Sequence, residues 1–248
     1  MLPTPALEDH RGHCRCRACK LSAELCICGR LPRVEMPLRI VVIQHPREHH
    51  SQSNTGSLVH RVFSNSELRD YTEVMRDAAA DVTGPWEPST DYHVLFPRQG
   101  ARVVAPGVLD RSRQSGTGPG SRSPARRRAL VVLDARWRQA RRMSHRVPGL
   151  GRFPFLTLPE ELPAPALNLR RPAGAGQVST AEAVARCLEL LGHVDAARKL
   201  RESLELLVSR ALFLRGKISR REFEHIERQR KKRETTGADG TTILVGEK

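Results

Sequence analysis

Residues 129–134 read Ala-Leu-Val-Val-Leu-Asp and run directly into Ala135-Arg136-Trp137. An unbroken aliphatic run closed by one carboxylate describes a strand buried on both faces that ends at a polar edge. Such runs belong to the middle of a parallel sheet, because helices cover both of its faces. Leu38–Gln44 (LRIVVIQ) has the same character. Asp91–Pro97 (DYHVLFP) is a further strand candidate, Arg102–Ala105 a short one, and Phe155–Leu158 a last one bracketed by prolines. Helical patterns lie between and after them. Leu58, Val59, Val62 and Phe63 follow Ser53-Asn54-Thr55-Gly56, where Asn54 or Thr55 suits an N-cap. A helix through Met143 carrying Arg136, Arg138, Arg141 and Arg142 is expected after Asp134. Ser179-Thr180-Ala181-Glu182 resembles a cap with an acidic first turn, and Val194–Leu214 and Ser219–Lys232 read as two more helices. Arg111–Ser123, rich in Ser, Gly and Arg, reads as a flexible loop. The alternation predicts an α/β fold with a mostly parallel sheet.

The chain has 248 residues, 42 Lys plus Arg against 27 Asp plus Glu, and a net charge of +15. That excess points to a polyanionic partner, nucleic acid first, against the plainer reading of an arginine-biased composition. Only 4% of residues are aromatic, so the core must be built from Leu, Val, Ala and Ile. Met1–His10 has no apolar signal region, and no run approaches the roughly 18 apolar residues of a membrane helix. A cytoplasmic protein with no membrane partner and with reduced cysteines is expected.

Five of the six cysteines precede residue 36, and Cys16, Cys19, Cys26 and Cys28 form a C-x2-C-x6-C-x-C array. Two close pairs across a short loop can give one tetrahedral zinc ion four thiolates. The competing reading is a redox C-x-x-C with bystanders. Cys14 and His13 are spare ligands, and Cys187 reads as core. Four sulfurs leave no open coordination position, so the ion would be structural. Arg11, Arg15, Arg17, Lys20, Arg30 and Arg33 make this knuckle basic, as an RNA-contacting appendage would be.

In open α/β sheets ligands bind beyond the carboxyl ends of strands. Asp134 is therefore a candidate proton acceptor, with helix capping as the alternative. Trp137, one turn on, could stack a base or pack into the core. Asn54-Thr55-Gly56 offers amides and a close approach for a carboxylate or phosphate, or is an ordinary turn. Ser179, Thr180 and Glu182 carry the same two readings.

The order of these parts, from the cysteine array through HPRE, SNTG, LFP, LVVLDARW with Gln139-Ala140-Arg141, to GQVSTAEA, resembles the DTW-domain family of tRNA-uridine aminocarboxypropyltransferases. The resemblance runs from about Cys16 to about Leu191. Members use S-adenosylmethionine (SAM) to form 3-(3-amino-3-carboxypropyl)uridine, in the variable loop in bacterial relatives and in the D-loop in eukaryotic ones. The family is related to SPOUT-type enzymes. The resemblance thus implies a SPOUT-like sheet, with the deep C-terminal knot of that fold as an open expectation, behind the N-terminal zinc knuckle and ahead of the C-terminal helices read above. With the patterns read above, the chain is expected to divide into a zinc segment (1–35), a catalytic domain (36–192), a helical extension (193–233) and a tail (234–248). The resemblance implies Asp134 and Trp137 as catalytic. Asn54, Thr55, Gly56, Pro97, Leu133, Ser179, Thr180 and Glu182 would hold SAM. Arg136, Arg138, Arg141, Arg142, Arg170 and Arg171 would hold tRNA, and Cys16, Cys19, Cys26 and Cys28 would hold zinc. Two positions depart from the family pattern. Asp-Gly-Thr-Trp is here Asp134-Ala135-Arg136-Trp137, and Ser57 follows NTG where Arg is frequent. SPOUT-like methyl transfer, the same transfer onto ribosomal RNA, and a non-catalytic zinc-dependent RNA-binding module stay open beside the main reading.

Overall fold

The computed structural model describes residues 6–8, 14–51, 54–80, 85–109, 126–161 and 178–236. Six strands form one sheet: β3 (Arg39–Gln44), β4 (Ser66–Asp70), β5 (Thr90–Leu95), β6 (Arg102–Val103), β7 (Arg127–Asp134) and β8 (Phe155–Thr157). Their order is β4-β3-β7-β5-β8-β6, and every neighbouring pair is parallel. The two aliphatic runs lie side by side at the centre, with Gln44 in register with Asp134. Near the N-terminus, β1 (Ala6–Glu8) and β2 (Cys14–Cys16) pair antiparallel. The helices are α1 (Gly56–Val62), α2 (Tyr71–Ala80), α3 (Trp137–Arg146), α4 (Thr180–Leu190), α5 (Val194–Leu214) and α6 (Arg220–Thr236).

Each central strand divides its side chains between two cores, as a period of two requires. Ile40, Val42, Leu130 and Val132 face α1, α4 and α5, meeting Leu58, Val59, Val184, Leu188 and Leu204. Val41, Ile43, Val131 and Leu133 face α3, meeting Ala140 and Met143 together with Trp86, Tyr92 and Phe96. Burying each such aliphatic side chain contributes about 1.5–3 kcal/mol, and this two-sided burial anchors the middle of the sheet.

Two elements escape the hydrophobic pattern. β4 reads Ser-Glu-Leu-Arg-Asp, half-buried throughout. It is an edge strand held by its ladder and by charge: Arg39 bonds Glu67 at 2.7 Å, and Arg69 also bonds Glu67. Charged side chains on an exposed edge also discourage pairing with another chain. α2 follows without a loop, because the Asp70 carboxylate accepts from the N–H of Thr72 at 2.6 Å and of Glu73 at 3.1 Å.

The C-terminal helices form a hairpin. Gly216, at φ 63°, makes the left-handed turn after α5 that a glycine takes without strain. α6 then returns along α5 through stacked Phe213 and Phe223, 4.6 Å between centroids, and through Arg210 on Glu227 at 2.8 and 3.1 Å. α6 continues to Thr236, into the segment read as a tail. The loop read at Arg111–Ser123 lies outside the described residues, as do residues 162–177. No helix among the described residues is long and apolar enough to cross a membrane.

Candidate active site

Asp134 closes β7 and is 3% exposed. Pleat alternation turns its carboxylate towards α1 and α4, opposite to Leu133. Gln44, its partner across the ladder, donates from Nε2 at 3.0 Å, and the Thr180 hydroxyl donates at 2.7 Å. The Asp134 carbonyl oxygen accepts from the N–H of His45 at 2.9 Å. Capping of α3 is set aside: that helix starts at Trp137 with Arg136 at its N-cap and no side-chain cap bond. The strand ends with Asp134 pointing to one layer while the helix grows on the other, so the carboxylate cannot reach the amides of α3.

Glycine is required at position 56. A Cβ there would stand 2.3 Å from the Asp134 Cγ and 2.5 Å from Oδ2. Thr55 accepts from the N–H of Ala181 at 3.3 Å, which ties the start of α1 to the start of α4. Asn54 accepts from the N–H of Ser57 at 3.0 Å and donates to the Glu48 carbonyl at 3.0 Å, which closes the turn into α1; the N-cap position is Thr55, whose side chain makes no cap bond. Ser179 caps α4 by accepting from Glu182 N–H at 3.3 Å, and the Glu182 carboxylate pairs with Arg186 at 2.6 Å, both buried. Three segments far apart in sequence thus meet around one carboxylate: 54–56, Asp134 and 179–180. Glu182 stands one turn into α4. At the neighbouring strand ends, Leu133 is buried in the α3 layer and Pro97 is exposed just beyond β5. We expect Gly56→Ala to displace the Asp134 carboxylate. Thermal denaturation should show a loss of about 1–3 kcal/mol, the usual overpacking cost, and activity should fall more than stability does.

Trp137 is 41% exposed, so it is not core; its ring lies on buried Phe96, 5.3 Å between centroids at 35°. A flat aromatic backed by a second ring and open on its other side is suited to stacking a base. Trp86, in contrast, is buried and donates to the Pro148 carbonyl at 2.8 Å.

A cleft of about 470 Å³ opens between α3 and the ends of β3 and β4. Of the arginines expected to meet RNA, Arg136, Arg138 and Arg142 line it; Arg141 is exposed elsewhere on α3, and Arg170 and Arg171 lie outside the described residues. Arg47, Arg146, His45 and Tyr71 complete the wall, with no Asp or Glu among its described residues. His45 and Tyr71 stack at 5.8 Å and 14°. Burial and then the charge of Arg47 lower the His45 pKa, which favours its neutral form. Gln139 Oε1 is buried in this wall with no hydrogen-bond partner among the described residues. Arg47 and His45 sit in the HPRE motif but carried no signal of pointing at α3. Tyr71 was hidden because β4 was.

The four cysteines of the array bring their Sγ atoms within 4.8 Å of one another. Cys16 and Cys28 are 3.3 Å apart, and Cys19 and Cys26 3.8 Å. Four sulfurs bound at about 2.3 Å around a tetrahedral ion sit roughly 3.8 Å apart, so the set can hold zinc. Burial opposes ionisation of Cys16, yet N–H groups of Cys19 and Ala18 and the Cys28 thiol outweigh it and lower its pKa to about 7. Burial pushes Cys19 and Cys28 the other way. A divalent ion removes that conflict by stabilising all four thiolates together. Cys187 is fully buried in α4 and burial raises its pKa to about 12, as a core thiol.

No solved structure matches this chain. Residues 13–212, from just before the cysteine array to the last turn of α5, match the DTW domain. With its parallel sheet, its cysteine cluster and the Asp134 junction inside that span, the chain belongs to the DTW-domain family, a family of tRNA-modifying enzymes.

Proposed function

We propose that this protein transfers the 3-amino-3-carboxypropyl group of SAM to N3 of a uridine in tRNA, in the variable loop. The observation that carries the reading is the carboxyl edge of the sheet, where the immobilised Asp134 and the exposed Trp137 shelf flank one strand end next to the arginine cleft. SAM supplies a carbon already activated by its sulfonium, so the chain's own residues need only bind, orient and move a proton. The loop at Pro97, the end of β7 at Leu133 and the start of α4 at Ser179–Thr180 hold the donor. Asn54, Thr55, Gly56 and Glu182 shape that edge by fixing α1 and α4.

The target uridine leaves its stack and is drawn over the end of β7, with Trp137 on the α3 side and the Asp134 carboxylate on the α1–α4 side. Its N3–H is weakly acidic, and Asp134 takes that proton as the N3–carbon bond forms and the carbon–sulfur bond breaks. The electron pair stays on sulfur, and methylthioadenosine departs. Gln44 and Thr180 keep the carboxylate from rotating away. Arg136, Arg138 and Arg142, with Arg47 and Arg146, bind the phosphates of the strand. Arg141 is offered as a further phosphate contact on α3 outside the cleft, and Arg170 and Arg171, outside the described residues, as two more by sequence alone. Zinc on Cys16, Cys19, Cys26 and Cys28 is structural.

The test is mass spectrometry of nucleosides from an unmodified tRNA transcript incubated with SAM and protein. Aminocarboxypropyluridine with methylthioadenosine is expected. A methylated nucleoside with S-adenosylhomocysteine would replace the reading with methyl transfer. SAM binding without a tRNA product would move the substrate to another RNA, and absence of SAM binding would leave an RNA-binding module.

A further inference from the structure

Behind Asp134, on the α1 face of the sheet, a second cavity of about 180 Å³ lies between the cysteine loop and α1. Arg17 and Lys20 enter it from the cysteine loop, Arg61 from α1, and Gln44, Asn54 and Ser57 supply its polar wall. Among the described residues no Asp or Glu lines it and none of the three cations has a carboxylate partner; its other ionisable groups are Cys19, one of the four clustered thiols, and His49, which pairs with Asp70 at 2.7 Å. Three cations beside hydroxyl and amide groups, with no carboxylate in the described lining, form a setting for an oxyanion of the phosphate class. The loop that carries two of them is shaped by the sulfur cluster. Lys20 adopts φ 61°, its N–H bonded to the Cys16 carbonyl at 2.9 Å, between Cys19 and the buried Leu21. Metal binding and cation placement therefore depend on the same turn.

The two cavities meet at the end of β3. Gln44 lines this one, the next residue, His45, lines the arginine cleft on the other face, and Gln44 itself bonds Asp134. A strand of RNA held in both must cross the carboxyl edge of the sheet over Asp134. We propose that the cavity binds a backbone phosphate of the RNA on the far side of the target nucleotide, so that the zinc knuckle is part of the substrate site as well as a structural staple. This rests on the reading of tRNA as the substrate.

The test compares wild type, R17Q/K20Q and R142Q, all zinc-loaded full-length chains, by fluorescence anisotropy with an unmodified tRNA transcript across a salt series. Each lost phosphate contact lowers the slope of log affinity against log salt by roughly 0.7–0.9. R17Q/K20Q is expected to bind about 10–100-fold more weakly, with a slope shallower by roughly 0.7–0.9, the loss of one phosphate contact. Its SAM affinity and zinc content should stay unchanged. Wild-type affinity and slope in R17Q/K20Q would overturn the inference, while a weakened R142Q would leave the tRNA reading standing. A wild-type chain that does not bind the transcript would overturn that reading and this inference with it. If R17Q/K20Q loses zinc, R61Q decides the matter: it lies on α1, outside the cysteine loop, and is expected to shift affinity and slope in the same direction.

Discussion

Asp134→Asn is expected to lower turnover by about 10²–10⁴-fold, the range for loss of a positioned general base, with the fold intact. The exchange is nearly isosteric. An amide oxygen still accepts from Thr180, and Gln44 can flip to present its own oxygen to the new amide, so the site between Gly56 and α4 stays filled. Single-turnover rates with SAM and tRNA read the effect directly, and calorimetric titration with SAM and thermal denaturation show whether binding and folding survive. Thr180→Val removes a positioning donor and leaves the carboxylate, so a smaller loss is expected. It should shift the pH–rate profile, whereas a merely structural role would leave the profile in place. Full activity in Asp134→Asn with an unchanged pH profile would remove the base from the mechanism and leave Asp134 as a tie between β3, β7 and α4. Asp134→Ala is the poorer test, because it strands the buried Gln44 donor, at about 1–3 kcal/mol, and leaves the half-buried Thr180 hydroxyl without its acceptor.

The second large effect is on folding. One zinc per chain is expected by elemental analysis. A strong chelator, or Cys26→Ser, is expected to collapse the N-terminal segment. That segment has little core of its own, and the metal supplies its ordering free energy. The damage spreads because Leu21 and Ile27, both fully buried, pack into the same core as α1 and α5. Losing their burial removes about 1.5–3 kcal/mol each. Thermal denaturation with and without chelator, alongside hydrogen exchange of residues 14–36, checks this. A metal-free protein with the same melting temperature and the same protection across the cysteine loop would show that the four thiols hold the loop unaided.

The central strands, the two C-terminal helices and the cysteine array were legible in the sequence because each is a local pattern. Continuous aliphatic runs can only be buried on both faces. The spacing of Cys16, Cys19, Cys26 and Cys28 puts four thiols within reach of one ion. β4 and α2 were not legible, since Ser66–Asp70 has a single aliphatic residue and exists as a strand through its ladder with β3 and its ion pairs. The capping of α3 by Asp134 looked reasonable from spacing alone. It failed because spacing says nothing about which face of the sheet receives the side chain.

The sequence alone, then, determined a parallel α/β sheet, a four-thiol cluster, a basic surface and Asp134 at a strand end. Only the tertiary structure decided what surrounds that carboxylate. Gln44 lies 90 residues away in sequence and Thr180 46 residues away, and the demand for glycine at 56 arises from an atom of Asp134 itself. The exposure of Trp137, the enlistment of Arg47, Tyr71 and Arg146 into one cleft, and the meeting of Arg17 and Lys20 with Arg61 belong to the same category. Local patterns express backbone preference and burial. Convergence of side chains from separate segments is set by strand order and register, which a single chain of letters does not display.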